Sequence, residues 1–244
     1  MLRRPWSCVA TPVILVAAVL ALAGCGAAGE ANPEKIGPQG VDELVVPTPR
    51  PDPKDFVHGV DNPWFPLAPG TVWTYDVSGG PATRLEVRVE PDRELVAGVS
   101  CVVVHRTETD SSGTTVAEGD TYYAQDTRGN VWTFGEAGAA RTWRAGQHGA
   151  MAGLTMPATP RVGDGFLQER APGIAADRSS VVSTAGESTV PAGTFDGLVL
   201  LQDTATEGDP LSVQRAYAEG TGLVEADTTV GGTSHAVLVS VTTP

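Results

Sequence analysis

The chain has 244 residues, 29 Asp and Glu against 16 Lys and Arg, and a formal net charge of −13. An acid excess of that size excludes the clustered basic surface that nucleic acid requires, so no nucleic-acid partner is expected. With 41% apolar residues the chain can build a core, and its length allows one large domain or two small ones.

The N-terminus carries Arg3 and Arg4, then an apolar run over residues 9–23 that is broken at Thr11 and Pro12. This is the layout of a secretory signal peptide. The run falls short of the roughly 20 residues that a spanning helix needs. Leu22-Ala23-Gly24-Cys25 resembles the bacterial lipobox, at which the leader is cut before the cysteine and a diacylglycerol joins its sulfur. The expectation is therefore a lipoprotein leader over residues 1–24 and a lipidated, acylated Cys25 that ties the chain to the extracytoplasmic side of the cell membrane. Loss of the leader would lower the net charge to −15, because it holds two Arg and no acid. Cys8 leaves with the leader, and Cys101, inside Val99-Ser100-Cys101-Val102-Val103-Val104, reads as a small buried hydrophobe. His105 lies on the same apparent strand, roughly 13 Å from it by strand rise, too far to activate its thiol.

Residues 25–55 hold Pro33, Pro38, Pro47, Pro49, Pro51 and Pro53 with few apolar side chains, and read as a tether that stiffens toward its end. Residues 56–244 read as a single β domain. Residues 84–90 alternate apolar and charged without error, and residues 71–77 place Trp73, Tyr75 and Val77 on one face. Similar segments follow at 99–107, 121–125, 131–134, 178–184, 198–203, 211–218, 223–227 and 236–241, separated by Gly, Asn, Asp and Pro turn signals. The predicted fold is all-β and antiparallel: a strongly curved sheet, half-open barrel or sandwich of about ten strands with little helix. Residues 139–160 read as a long loop or cap. Tyr122-Tyr123-Ala124 and Ala216-Tyr217-Ala218 suggest equivalent strand ends in two halves.

Phe65-Pro66-Leu67-Ala68-Pro69-Gly70-Thr71-Val72-Trp73-Thr74-Tyr75 resembles the F-P-L-x-P-G-x-x-W-x-Y opening of a family of uncharacterised secreted bacterial proteins, many of them lipoproteins. The resemblance continues through Tyr122-Tyr123-Ala124-Gln125-Asp126 with Gly129-Asn130-Val131-Trp132, through Val190-Pro191-Ala192-Gly193-Thr194-Phe195, and through Tyr217-Ala218-Glu219-Gly220-Thr221-Gly222-Leu223-Val224. More distantly the chain is similar to TapB-type extracytoplasmic β proteins. The resemblance implies a β fold and an extracytoplasmic location, and it carries over no mechanism.

No catalytic signature is present. His58, His105, His148 and His235 have no metal-ligand spacing, and neither a G-x-S-x-G elbow nor a phosphate loop occurs, so no metal or cofactor is expected. Glu108, Asp110, Glu118, Asp120 and Asp126 cluster along one hairpin and read as a solvated acidic face, with calcium binding or a carboxylate pair as the sharper alternative. Trp73, Tyr75, Tyr123, Trp132 and Phe134 fall on neighbouring segments and either line one concave ligand face or fill an ordinary core. The leading functional expectation is a non-enzymatic, lipid-anchored binding or cell-envelope module, partnered by the membrane and by an envelope protein or ligand. The alternatives are a carrier or sensor of a hydrophobic ligand, and a hydrolase of envelope polymers.

Overall fold

The computed structural model describes residues 44–206 and 208–244. The chain divides into two units, Met1–Glu34 and Lys35–Pro244, and all described residues belong to the second. The leader, Cys25 and the tether up to residue 43 lie outside the described residues.

Alternating sequence becomes sheet throughout. The described residues form thirteen strands: β1 (Val72–Ser78), β2 (Arg84–Val96), β3 (Val99–Thr109), β4 (Thr115–Gln125), β5 (Val131–Gly138), β6 (Thr142–Arg144), β7 (Gly153–Met156), β8 (Gly165–Leu167), β9 (Arg178–Val190), β10 (Gly193–Thr204), β11 (Ser212–Ala218), β12 (Gly222–Val230) and β13 (His235–Thr242). Among the described residues helix is confined to one 3-10 turn, Pro53–Asp55, where the Asp52 side chain accepts from the Lys54 N–H. No described helix is long and apolar enough to cross a membrane.

All thirteen strands belong to one open antiparallel sheet in the order β6-β5-β4-β3-β2-β1-β13-β12-β11-β10-β9-β8, with β7 paired to β5. Two meanders run outward from the pairing of β1 with β13, where Val72 opposes Thr242 and Ser78 opposes His235. The sandwich alternative gives way to a single layer, because the first and last strands pair directly and fuse the meanders into one ladder. Laid flat, such a sheet would span roughly 55–60 Å at normal strand spacing. Side chains from strands near both of its ends nonetheless line a single cavity, so the sheet is strongly curved. Its ends approach each other where the Met151 N–H donates to the Arg170 carbonyl at 2.9 Å. The result is a half-open barrel.

Residues 139–160 are not a plain loop: they contain β6 and β7, which extend the sheet beside β5. The end of the expected tether also lies against the domain. Pro47 and Pro51 are buried, Leu44 packs on the main core, and Phe56 stacks edge-on against Phe134 with ring centres 5.2 Å apart. Counted outward from the β1–β13 junction, Tyr123 stands on the fourth strand and Tyr217 on the third, so the two Tyr-Ala segments are not equivalent positions.

Candidate functional site

The concave face encloses a cavity of about 480 Å³, a size at which proteins hold small ligands. Strand alternation decides what enters it. Trp73, Tyr75 and Val77 point inward from β1, Leu85 and Val87 from β2, and Val104, Arg106 and Glu108 from β3. Thr121 and Tyr123 follow from β4, and Val213, Arg215 and Tyr217 from β11.

One end is closed and aromatic. Phe65, from the segment before β1, wedges between Tyr123 and Tyr217, with ring centres 5.1 and 6.0 Å away. The Trp73 Nε1–H donates to the Thr221 carbonyl at 2.7 Å and the Tyr75 hydroxyl to the Leu223 carbonyl at 2.9 Å. Backbone therefore consumes the polar handles of both rings, which offer the cavity apolar surface. Burial pushes the hydroxyls of Tyr75 and Tyr123 far above their ordinary range and that of Tyr217 up to about 12, so all three stay neutral.

The other end reaches solvent through exposed Gly80, Pro81, Thr204, Leu211 and Ser234 at the hairpin tips, and it is charged. Arg141 Nη1 lies 2.8 Å from Glu169 Oε2 and 3.0 Å from Asp177 Oδ2, and its Nε lies 3.4 Å from Glu136 Oε2. Glu169 and Asp203 are each only 6% exposed. Asp203 pairs with Arg215 through Oδ2, while its Oδ1 accepts no hydrogen bond among the described residues. Burial pushes the Glu169 carboxyl up to about 9; the neighbouring Glu136 and Asp177 charges add to the rise and Arg141 opposes it.

Of the five aromatics picked out from the sequence, Trp73, Tyr75 and Tyr123 line this cavity. Trp132 and Phe134 do not. They flank the inward-pointing Thr133 and so face the opposite side of the sheet, where Trp132 donates to Asp126 at 2.8 Å and Phe134 packs on Phe56. The phase of β5 relative to β4 decides this, and it is invisible in a single strand. Phe65, Tyr217 and the charged end were missed. Tyr217 had a signal in its likeness to Tyr123, whereas Arg141, Glu169 and Asp177 come from irregular segments without periodicity.

The acidic hairpin does not converge. Glu108 points into the cavity and pairs with Arg106 at 2.5 Å, whereas Asp120 is on the other face, 2.7 Å from His105 Nδ1. Asp110 and Asp126 accept backbone N–H groups in their turns, at 2.8–3.0 Å. Cys101 is fully buried, and burial pushes its thiol up to about 12, which makes it inert. Ser188, Glu225 and His235 meet elsewhere on β9, β12 and β13, at 2.6 and 2.8 Å. The carboxylate sits between the hydroxyl and the imidazole, so the hydroxyl lacks the contact with a base that a nucleophile requires. Burial alone would raise the Glu225 carboxyl, but the hydrogen bonds from Ser188 and His235 outweigh it and hold it low.

No family model matches the chain, and no curated protein matches it. Two solved structures resemble it. One is a protein described as exported, with a YmcC-like fold, from Bacteroides fragilis: 16% identity, TM-score 0.48, covering 74% of this chain and 99% of that one. The other is described as a lipoprotein from Parabacteroides distasonis: 14% identity, TM-score 0.45, covering 73% of this chain and 98% of that one.

Proposed function

We propose that this chain is a lipid-anchored, extracytoplasmic binding module that carries or senses an amphiphilic small ligand in the trough of its curved sheet. The observation that carries this reading is the cavity itself, with an aromatic base and a charged opening within about 480 Å³. A β domain of this size can fill its interior with side chains, so a void walled by aromatic rings on the concave face speaks for an occupant. The likeness of Leu22-Ala23-Gly24-Cys25 to a lipobox, after an apolar run that resembles a secretory leader, supports placement on the outer side of the membrane.

Native mass spectrometry of the full-length protein extracted in mild detergent tests the proposal. The expected result is a bound species beyond the mass of the Cys25 modification, reduced in a Tyr123→Ala variant. Preparations that repeatedly contain protein alone, and whose melting temperature no lipid or amphiphile shifts, would overturn it.

A further inference from the structure

The cavity has a marked chemical asymmetry. At its base the indole N–H of Trp73 and the hydroxyl of Tyr75 are spent on backbone carbonyls, so a ligand meets ring faces there. Toward the hairpin tips it meets three guanidinium groups, Arg106, Arg141 and Arg215, and five carboxyl groups, Glu108, Glu136, Glu169, Asp177 and Asp203. Each guanidinium is already engaged: Arg106 with Glu108, Arg141 with Glu136, Glu169 and Asp177, and Arg215 with Asp203. An anionic head group would have to compete with these carboxylates and would add a further negative charge to a lining that already holds five carboxyl groups against three guanidiniums. A cationic head group would instead supply what the cavity lacks.

Two buried groups mark that deficit independently. Asp203, more than nine-tenths buried on the lining, has an Oδ1 that accepts no hydrogen bond among the described residues. Glu169, equally buried, shares the single guanidinium of Arg141 with two other carboxylates. Asp177 and Asp203 belong to the same end of the cavity, because Arg178 opposes Thr204 and Ser179 opposes Asp203 in the β9–β10 ladder.

We propose that the ligand is an amine-bearing amphiphile, its ammonium group held by Glu169, Asp177 and Asp203 and its apolar body laid on the rings of Tyr75, Tyr123 and Tyr217. The inference rests on the cavity-binding reading above. The groups facing Glu169 are Glu136 from β5, Arg141 from the β5–β6 turn and Asp177 from the segment just before β9. An ammonium ion entering among them replaces the proton that a buried, carboxylate-flanked Glu169 otherwise keeps, and that proton leaves to solvent.

Octylamine, octanol and octanoate share one tail length and differ in head charge. They are titrated against the full-length protein in lipid nanodiscs, with empty discs as reference and tryptophan fluorescence and melting temperature as readouts. The expected result is octylamine binding about tenfold more tightly than octanol, octanoate weakest, and the preference for the amine lost in Glu169→Gln. Calorimetry in buffers of different ionisation enthalpy supplies a second measurement on the unaltered protein: near pH 7.5 the amine is expected to release protons on binding and octanol none. Equal binding of all three, a preference for octanoate, or amine binding without proton release overturns the cationic assignment and leaves the cavity reading standing. Binding of none overturns both.

Discussion

Glu169 concentrates the electrostatics of the cavity. Burial raises its carboxyl, so the folded protein keeps a proton between the usual carboxylate range and about pH 9 that the unfolded chain has already lost. Where the folded state binds more protons, stability falls as pH rises. The contribution of this group is therefore most favourable below its unfolded pKa and declines through that window, levelling off above about 9. Melting temperatures at pH 5, 7 and 9 should fall in the native sequence and fall distinctly less in Glu169→Gln; an identical slope in the variant would sink the assignment. At the aromatic base, Trp73→Phe removes the donor to the Thr221 carbonyl. The expected loss is about 1 kcal/mol, seen as a melting temperature lower by about 2–4 °C in calorimetry. Trp73 and Tyr75 were readable as partners because alternation within one strand is a local rule. Their separation from Trp132 and Phe134 was not readable, since period two says which residues share a face but not which face turns inward on the next strand but one.

Neighbouring backbones approach closely where glycine leaves room for them. At Gly153, the first residue of β7, a Cβ would stand 2.3 Å from the Gln168 carbonyl oxygen. At Gly79, between β1 and β2, φ is +78° and a Cβ would stand 1.7 Å from the Thr233 carbonyl oxygen. The first contact holds the β7 end of the sheet against the segment that carries Glu169. Gly153→Ala is expected to cost about 1–3 kcal/mol and to loosen that seam. Hydrogen exchange should then quicken at Met151, whose N–H bonds to Arg170, before it quickens at the β1–β13 pairing. Uniform exchange across both sites would refute this role. Long strands such as β2, β3 and β9 announced themselves through alternation and turn residues. The short β6, β7 and β8 did not. Three or four residues are too few to show a period, and β7 is buried at every position, so alternation is erased.

The two meanders meet at the chain's first and last strands, and their curvature turns a sheet into a container. If Cys25 carries the anchor, Cys25→Ser should release the protein from the membrane fraction while leaving the melting temperature of the β domain unchanged; membrane retention in the variant would argue against lipidation. The acidic character, the all-β antiparallel class and the shared face of Trp73 and Tyr75 on β1 followed from residues close together in the chain, because composition, strand alternation and turn chemistry are local properties. The cavity did not. Phe65 meets Tyr217, and Arg141 meets Glu169 and Asp177, through the wrapping of the sheet, whereas Asp203 meets Arg215 diagonally across the β10–β11 hairpin. Closure of a curved sheet depends on register, bulges and long-range packing summed over every strand, and so only the folded chain decides which aromatics form its base and which carboxylates are left wanting a cation.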